Sequence, residues 1–150
     1  MTFKGKIAVL KGGYSDERAI SLKTGENVEQ ALNELGLRYV SIDCKDDFLE
    51  KLISSNFDLC FNALHGEFGE DGQIQALLEE IGIKYTHSGI SSSILAMNKA
   101  FSKEIFIRND VPTPQYKMID KDDINENDIL IPSVIKPINN GSSFGVYIIL

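Results

Sequence analysis

Apolar and polar positions follow two rhythms along this chain. Ile7-Ala8-Val9-Leu10 is an unbroken apolar run that ends at Gly12-Gly13. That is the mark of a strand buried on both faces and leaving into a tight turn. From Asp16 to Leu35 the period lengthens. Val28, Ala31, Leu32 and Leu35 stand at i, i+3, i+4 and i+7, and Gly36 occupies a helix stop position. Arg38 to Asp43 reads as a second strand with Val40 and Ile42 inward, and Lys45 to Ser54 as a short helix. Phe57 to Leu64 reads as a third strand. Gly72 to Ile81 is a helix closed by Gly82, Ile83 to Tyr85 a short strand, and Ser91 to Asn109 one or two helices.

Strand–helix–strand units joined by short loops predict an α/β fold: a parallel, Rossmann-like sheet with helices on both faces. Ligands of such sheets sit beyond the strand C-termini, where strand order reverses. The glycine-bearing loops after strands one and three are therefore the candidate site. The composition changes at Asn109-Asp110-Val111-Pro112-Thr113-Pro114, where two prolines and a turn pair mark a boundary. Residues 1–110 are thus expected to form one domain and 111–150 the start of another. In the second, Gln115 to Ile119, Ile131 to Lys136 and Phe144 to Leu150 read as strands, with the acidic run Asp120 to Asp128 as a solvated connection. The sequence ends at Leu150, inside the last of these strands. The expectation is the front part of a longer protein.

Composition narrows the function. The 150 residues are 43% apolar with a net charge of −7. A packed core is within reach, while nucleic acid and anionic membrane surfaces, which attract basic faces, are disfavoured partners. No apolar stretch has the length to cross a bilayer or serve as a secretory leader, so a soluble, cytoplasmic protein is expected. Cys44 and Cys60 lack CxxC spacing and a histidine cluster. They are expected to be small buried apolar groups rather than metal ligands or redox centres.

Three stretches carry candidate chemistry. In Gly12-Gly13-Tyr14-Ser15-Asp16-Glu17-Arg18 a strand turns into a helix. Glu17 there is either a helix-start carboxylate or an anchor for a ligand ammonium. In Leu64-His65-Gly66-Glu67-Phe68-Gly69-Glu70-Asp71-Gly72 three glycines spaced by three open a helix. His65 is either a satisfied core imidazole or a site residue, and Glu70 either a helix-start residue or part of that site. In Val134-Ile135-Lys136-Pro137 followed by Gly141-Ser142-Ser143-Phe144-Gly145, a lysine on a strand precedes a small-residue loop. Backbone N–H groups, hydroxyls and an ammonium suit a triphosphate. The same stretch equally fits a hairpin loop with an exposed lysine. Neither GxxxxGK[ST] nor GxGxxG occurs, so no P-loop or dinucleotide fingerprint applies.

Taken in order, the motifs resemble the D-alanine–D-alanine ligases of the ATP-grasp superfamily. The matching stretches are Gly12-Gly13-x-Ser15-x-Glu17-Arg18-x-Ile20-Ser21-Leu22, Ala63-Leu64-His65-Gly66-x-x-Gly69-Glu70-Asp71-Gly72 and Tyr85-Thr86-x-Ser88-Gly89, then Lys99, Ile135-Lys136-Pro137 and Gly141-Ser142-Ser143-x-Gly145. The resemblance implies a complete N-terminal substrate domain followed by the first strands of a truncated ATP-grasp central domain. It implies ATP-dependent joining of two D-alanines through an acyl phosphate for peptidoglycan synthesis, with Mg2+ (or Mn2+) held by residues beyond Leu150. It also implies a homodimer, and a 150-residue chain that is inactive alone. Catalytic roles would fall to Glu17 and Ser142, linked through a tyrosine beyond Leu150. His65 and Glu70 would line the D-alanine subsite, while Lys99, Lys136, Gly141 and Ser143 would grip ATP.

Four positions depart from the family's pattern. His87 stands where Tyr-Thr-Gly-Ser-Gly has glycine, Asn98 where an aspartate is usual, and Asn139-Asn140 where a charged pair is usual. Two other functions fit parts of the pattern. Another ATP-grasp carboxylate–amine ligase would share the lysines and glycine loop but not the Glu17 and His65 stretches together. A non-enzymatic flavodoxin-like binding module would need no Lys136 loop. D-lactate or D-serine as second substrate stays open.

Overall fold

A computed structural model of the chain describes residues 3–120, 122 and 129–150. Apart from Asp120 and Asp122, the acidic run expected as a solvated connection lies outside the described residues. The chain divides into two compact units, Met1–Ile94 and Leu95–Leu150.

The first unit is built on β1 (Lys6–Lys11), β2 (Arg38–Asp43) and β3 (Leu59–Asn62), parallel and in the order β2-β1-β3. β1 is central, which is why its apolar run is continuous. Ala8 and Leu10 face a core shared with Ile42, Leu52, Cys60, Ile74 and Leu78. Ile7 and Val9 face the other, with Leu32. The helices divide accordingly: α1 (Arg18–Glu34) covers one face, α2 (Phe48–Ser54) and α3 (Gln73–Glu80) the other. This is the doubly covered parallel sheet that the sequence predicts. Cys44 and Cys60 are fully buried free thiols, and burial pushes the Cys44 thiol up to about 12.

Helix ends follow local chemistry. Gly36 at φ +66 donates to Asn33 O and Leu37 to Leu32 O, both at the end of α1. Gly82 and Ile83 repeat the pattern on Glu79 and Leu78 at the end of α3. These paired bonds cap the otherwise orphaned helix carbonyls, and the left-handed turn favours glycine.

Some elements differ from the sequence reading. Val40 is 36% exposed although Ile42, on the same strand face, is buried; β2 is an edge strand, and its covering helix reaches only the later residue. Ile83–Tyr85 contracts to a single bridge, Cys60 to Tyr85. Ser91–Asn109 resolves into α4 (Ile90–Met97) and α5 (Lys99–Arg108). No strand forms over Gln115–Ile119. Instead Tyr116 donates from its hydroxyl to Glu104 at 2.7 Å, and Lys103 reaches Pro114 O at 2.6 Å, so side chains of α5 hold this segment.

In the second unit β4 (Ser133–Ile135) and β5 (Tyr147–Ile149) form an antiparallel hairpin whose loop is residues 136–146.

Candidate functional site

The β2-β1-β3 order places the reversal between β1 and β3, and the two glycine loops meet at that sheet edge. Ser15 donates from Oγ to His65 O at 2.7 Å. Ser21, buried on α1, accepts from Gly12 N–H at 2.8 Å and donates to Ala63 O at 2.8 Å. One hydroxyl thus ties the exits of both strands together. Thr24, one turn further along α1, lies 2.9 Å from His65 Nε2. Glu17, Ser21 and Thr24 stand at i, i+4 and i+7, so α1 presents a polar stripe to the loop after β3.

The Gly66 segment gathers the charged groups. Glu70 accepts from Gly66 N–H at 2.8 Å through Oε2, and its Oε1 lies 3.5 Å from His65 Nδ1. Glu17 is 6% exposed. Its side chain makes no capping bond on α1. Instead its Oε1 sits over Gly66: a Cβ there would stand 3.1 Å away, on a backbone with φ +70. Two carboxylates and an imidazole therefore converge on one glycine, a setting that suits a ligand ammonium.

Three supporting residues escaped the sequence reading. Thr24 is one, found only through its helical spacing from Glu17. Asn62, 1% exposed, is another. It accepts from Leu64 N–H at 3.1 Å and donates to Gly69 O at 2.8 Å, and it lies 3.1 Å from His87 Nδ1. A polar residue ending an apolar strand was the available signal. Asp43 is the third. Arg18 grips it through its two terminal guanidinium nitrogens, Nη1 at 2.7 Å and Nη2 at 2.5 Å, and Nη1 also donates to Gly13 O at 3.0 Å. Gly13 N–H also points to Asp43 at 3.3 Å. The pair clamps the turn that carries Glu17.

The Asp43 carboxyl is held below its ordinary range, chiefly by the Arg18 hydrogen bond, against the opposing effect of burial, and with help from Gly13 N–H. A depressed carboxylate contributes stability above its unfolded value, about 3.9, and loses it as pH falls through the folded one. An Asp43→Asn chain is therefore expected to lose less stability than the parent between about pH 5 and pH 2. Denaturant titrations at a series of pH values check this; parallel losses would refute it.

The second unit gathers the other candidates. Lys99 opens α5, whose N-cap Asn98 accepts from Ala100 and Phe101 N–H at 3.0 Å each. Capping is a task asparagine and aspartate share. Lys99 donates from Nζ to Asn140 O at 2.5 Å and Ile138 O at 3.3 Å. Its pKa is lowered by burial first and then by the Lys136 charge, so the two ammonium groups share one electrostatic neighbourhood. Lys136 follows β4 directly. Beyond it, Ser142 and Ser143 take left-handed backbones, with φ 46 and 62, as does Gly145. Turns close from Phe144 N–H to Gly141 O and from Val146 N–H to Ser143 O. Two cations beside a tight serine–glycine loop fit a polyphosphate. Among the described residues no group of three or more His, Cys, Asp or Glu stands together to hold a metal, and none of their helices is long and apolar enough to cross a membrane.

Comparison with known proteins joins these observations. The family described as the D-ala D-ala ligase N-terminus matches residues 48–88. The D-alanine–D-alanine ligase of Wolbachia pipientis wMel is 51% identical over 145 residues, 95% of this chain and 46% of that enzyme. The D-alanine–D-alanine ligase structure from Bacillus anthracis superposes with a TM-score of 0.83 at 34% identity, over 96% of this chain and 49% of that one. The chain is a relative of the D-alanine–D-alanine ligases. It matches their N-terminal part and spans about half the length of the curated relatives it matches. The B. anthracis ligase has also been solved in complex with ATP, and that structure matches with a TM-score of 0.81 at 32% identity, over 97% of this chain and 50% of that one. One departure from the ligase pattern now has a physical description: His87 takes φ +92, a left-handed backbone that glycine adopts at no steric cost.

Proposed function

We propose that this chain is the N-terminal part of an ATP-dependent ligase that joins two D-alanines for peptidoglycan synthesis. The convergence of Glu17, Glu70 and His65 on Gly66, at the switch point of the sheet, is the observation that carries this reading. Residues 1–110 serve as the substrate domain and 111–150 begin the ATP-grasp domain. Glu17 receives the ammonium of the first D-alanine, with His65 and Glu70 lining its subsite. Lys99 and Lys136 counter the charge of the ATP phosphates, and Gly141 and Ser143 lend the loop that covers them. Ser142 joins Glu17 through a tyrosine of the remaining half.

The first D-alanine's carboxylate oxygen attacks the γ-phosphorus of ATP, and ADP leaves. The second D-alanine's amine attacks the resulting acyl phosphate, and inorganic phosphate leaves. Both steps build negative charge on phosphoryl oxygens, which cations and backbone donors stabilise. Mg2+ would be bound by residues outside this chain. The enzyme works as a cytoplasmic homodimer.

A chain completed with the remaining half of a relative is expected to release phosphate from ATP only when D-alanine is present, and to form the dipeptide. The 150-residue chain alone is expected to show only background. Phosphate release by the completed enzyme that ignores D-alanine, or that needs another amino acid, would overturn the reading.

A further inference from the structure

We propose that His87 is a positioning residue: its imidazole accepts a hydrogen bond at Nδ1 from Asn62 and so completes the hub that holds the His65–Gly72 loop. The assignment follows from donor logic. Leu64 N–H can only donate, so the Asn62 atom 3.1 Å from it is Oδ1. The amide NH2 then faces Gly69 O at 2.8 Å and His87 Nδ1 at 3.1 Å. An NH2 group has only protons to offer. His87 Nδ1 must present its lone pair, which puts the imidazole proton on Nε2.

Each end of this chain of bonds matters. Asn62 is buried, and Gly69 O, which it holds, also accepts from the buried Gln75 Nε2 at 3.0 Å. Gly69 packs closely on Leu64: a Cβ on it would stand 2.5 Å from Leu64 Cβ and 2.9 Å from the Leu64 carbonyl carbon. Asn62 thus reads the start of the loop at Leu64 and its middle at Gly69. The residues between them include His65 and Gly66. His87 supplies the third partner that stops the Asn62 amide from rotating. Thr86 secures the same strand end, accepting from Asn62 N–H at 3.0 Å.

The backbone supports a role for the side chain. With φ +92, position 87 strains a histidine, whereas glycine adopts this backbone at no steric cost. Glycine would relieve that strain and leave one buried amide proton of Asn62 without its partner. A histidine here exchanges backbone ease for a side-chain brace. The proposal rests on the ligase reading only in treating the His65–Gly72 loop as substrate-binding.

The test uses the free chain without ligand, so it can fail independently of that reading. In 15N-labelled protein at mildly alkaline pH, long-range proton–nitrogen correlations of the imidazole are expected to show His87 as the Nε2–H tautomer. In His87→Gly, exchange of the Leu64 amide is expected to rise roughly five- to tenfold while that of Val9, in the central strand, stays put. In His87→Asn, exchange of Leu64 is expected to return to within about twofold of the parent, because asparagine tolerates a left-handed backbone and offers Oδ1 as the acceptor. An Nδ1–H tautomer, or Leu64 exchange unaltered in His87→Gly, overturns the proposal.

Discussion

An Asn62→Ala chain is expected to melt on the order of 10–20 °C below the parent, the largest stability loss in the first unit from a polar residue. The side chain is 1% exposed, and all of its hydrogen-bonding groups are used. Alanine leaves Leu64 N–H without a partner and opens a polar void. Stranding a buried donor and losing the bonds around it costs roughly 2–4 kcal/mol. Asn62→Asp serves as the isosteric control. A carboxylate can still accept from Leu64, but it sets an oxygen against Gly69 O where an N–H had been. It is expected to melt nearly as low as alanine. Thermal denaturation followed by far-UV circular dichroism measures both. An aspartate variant close to the parent would show that the donor side of Asn62 contributes little.

Glu17→Gln is expected to lower kcat/KM for D-alanine in the completed enzyme by about two to three orders of magnitude. Glutamine keeps the volume and removes the charge. Removing one partner of a buried charge pair costs roughly 2–5 kcal/mol, and Glu17 is buried, which gives a loss of this size. KM for ATP is expected to move little, because Lys99 and Lys136, the residues proposed to counter the ATP phosphates, lie in the second unit. The melting temperature of the variant separates chemistry from folding: it should stay within about 5 °C of the parent. Steady-state kinetics with D-alanine and ATP varied in turn would check the split. A loss under about fivefold would remove Glu17 from the site.

Legibility followed the range of the physics involved. Ile7 to Leu10 announced a doubly covered strand because both faces needed apolar residues, and both cores are there. Gly36 and Gly82 announced helix stops because their bonds close within six residues. Gln115 to Ile119 misled because a strand is defined by its partner, and the side chains of α5 took that place. Val40 misled because alternation reports a face but not how far along the strand a helix covers it.

The candidate site divides the same way. Glu17, His65, Glu70 and Lys136 stood out as polar groups beside glycine-bearing loops, and Lys99 only through the resemblance to the ligases. Asn62, Thr24 and Asp43 did not. Each is ordinary in its own segment and has a partner 25 or more residues away: Asn62 binds His87, Thr24 approaches His65, and Asp43 clamps Arg18.

Residue spacing alone set the rhythm of strands and helices, their stops and the order of the motifs, because these rest on period and on bonds between near neighbours. Folding was needed to show that two carboxylates meet at Gly66, that His87 bears a left-handed backbone, and that one asparagine amide holds the loop between them. Those facts depend on which distant atoms share a hydrogen-bonding distance, and no local pattern encodes that.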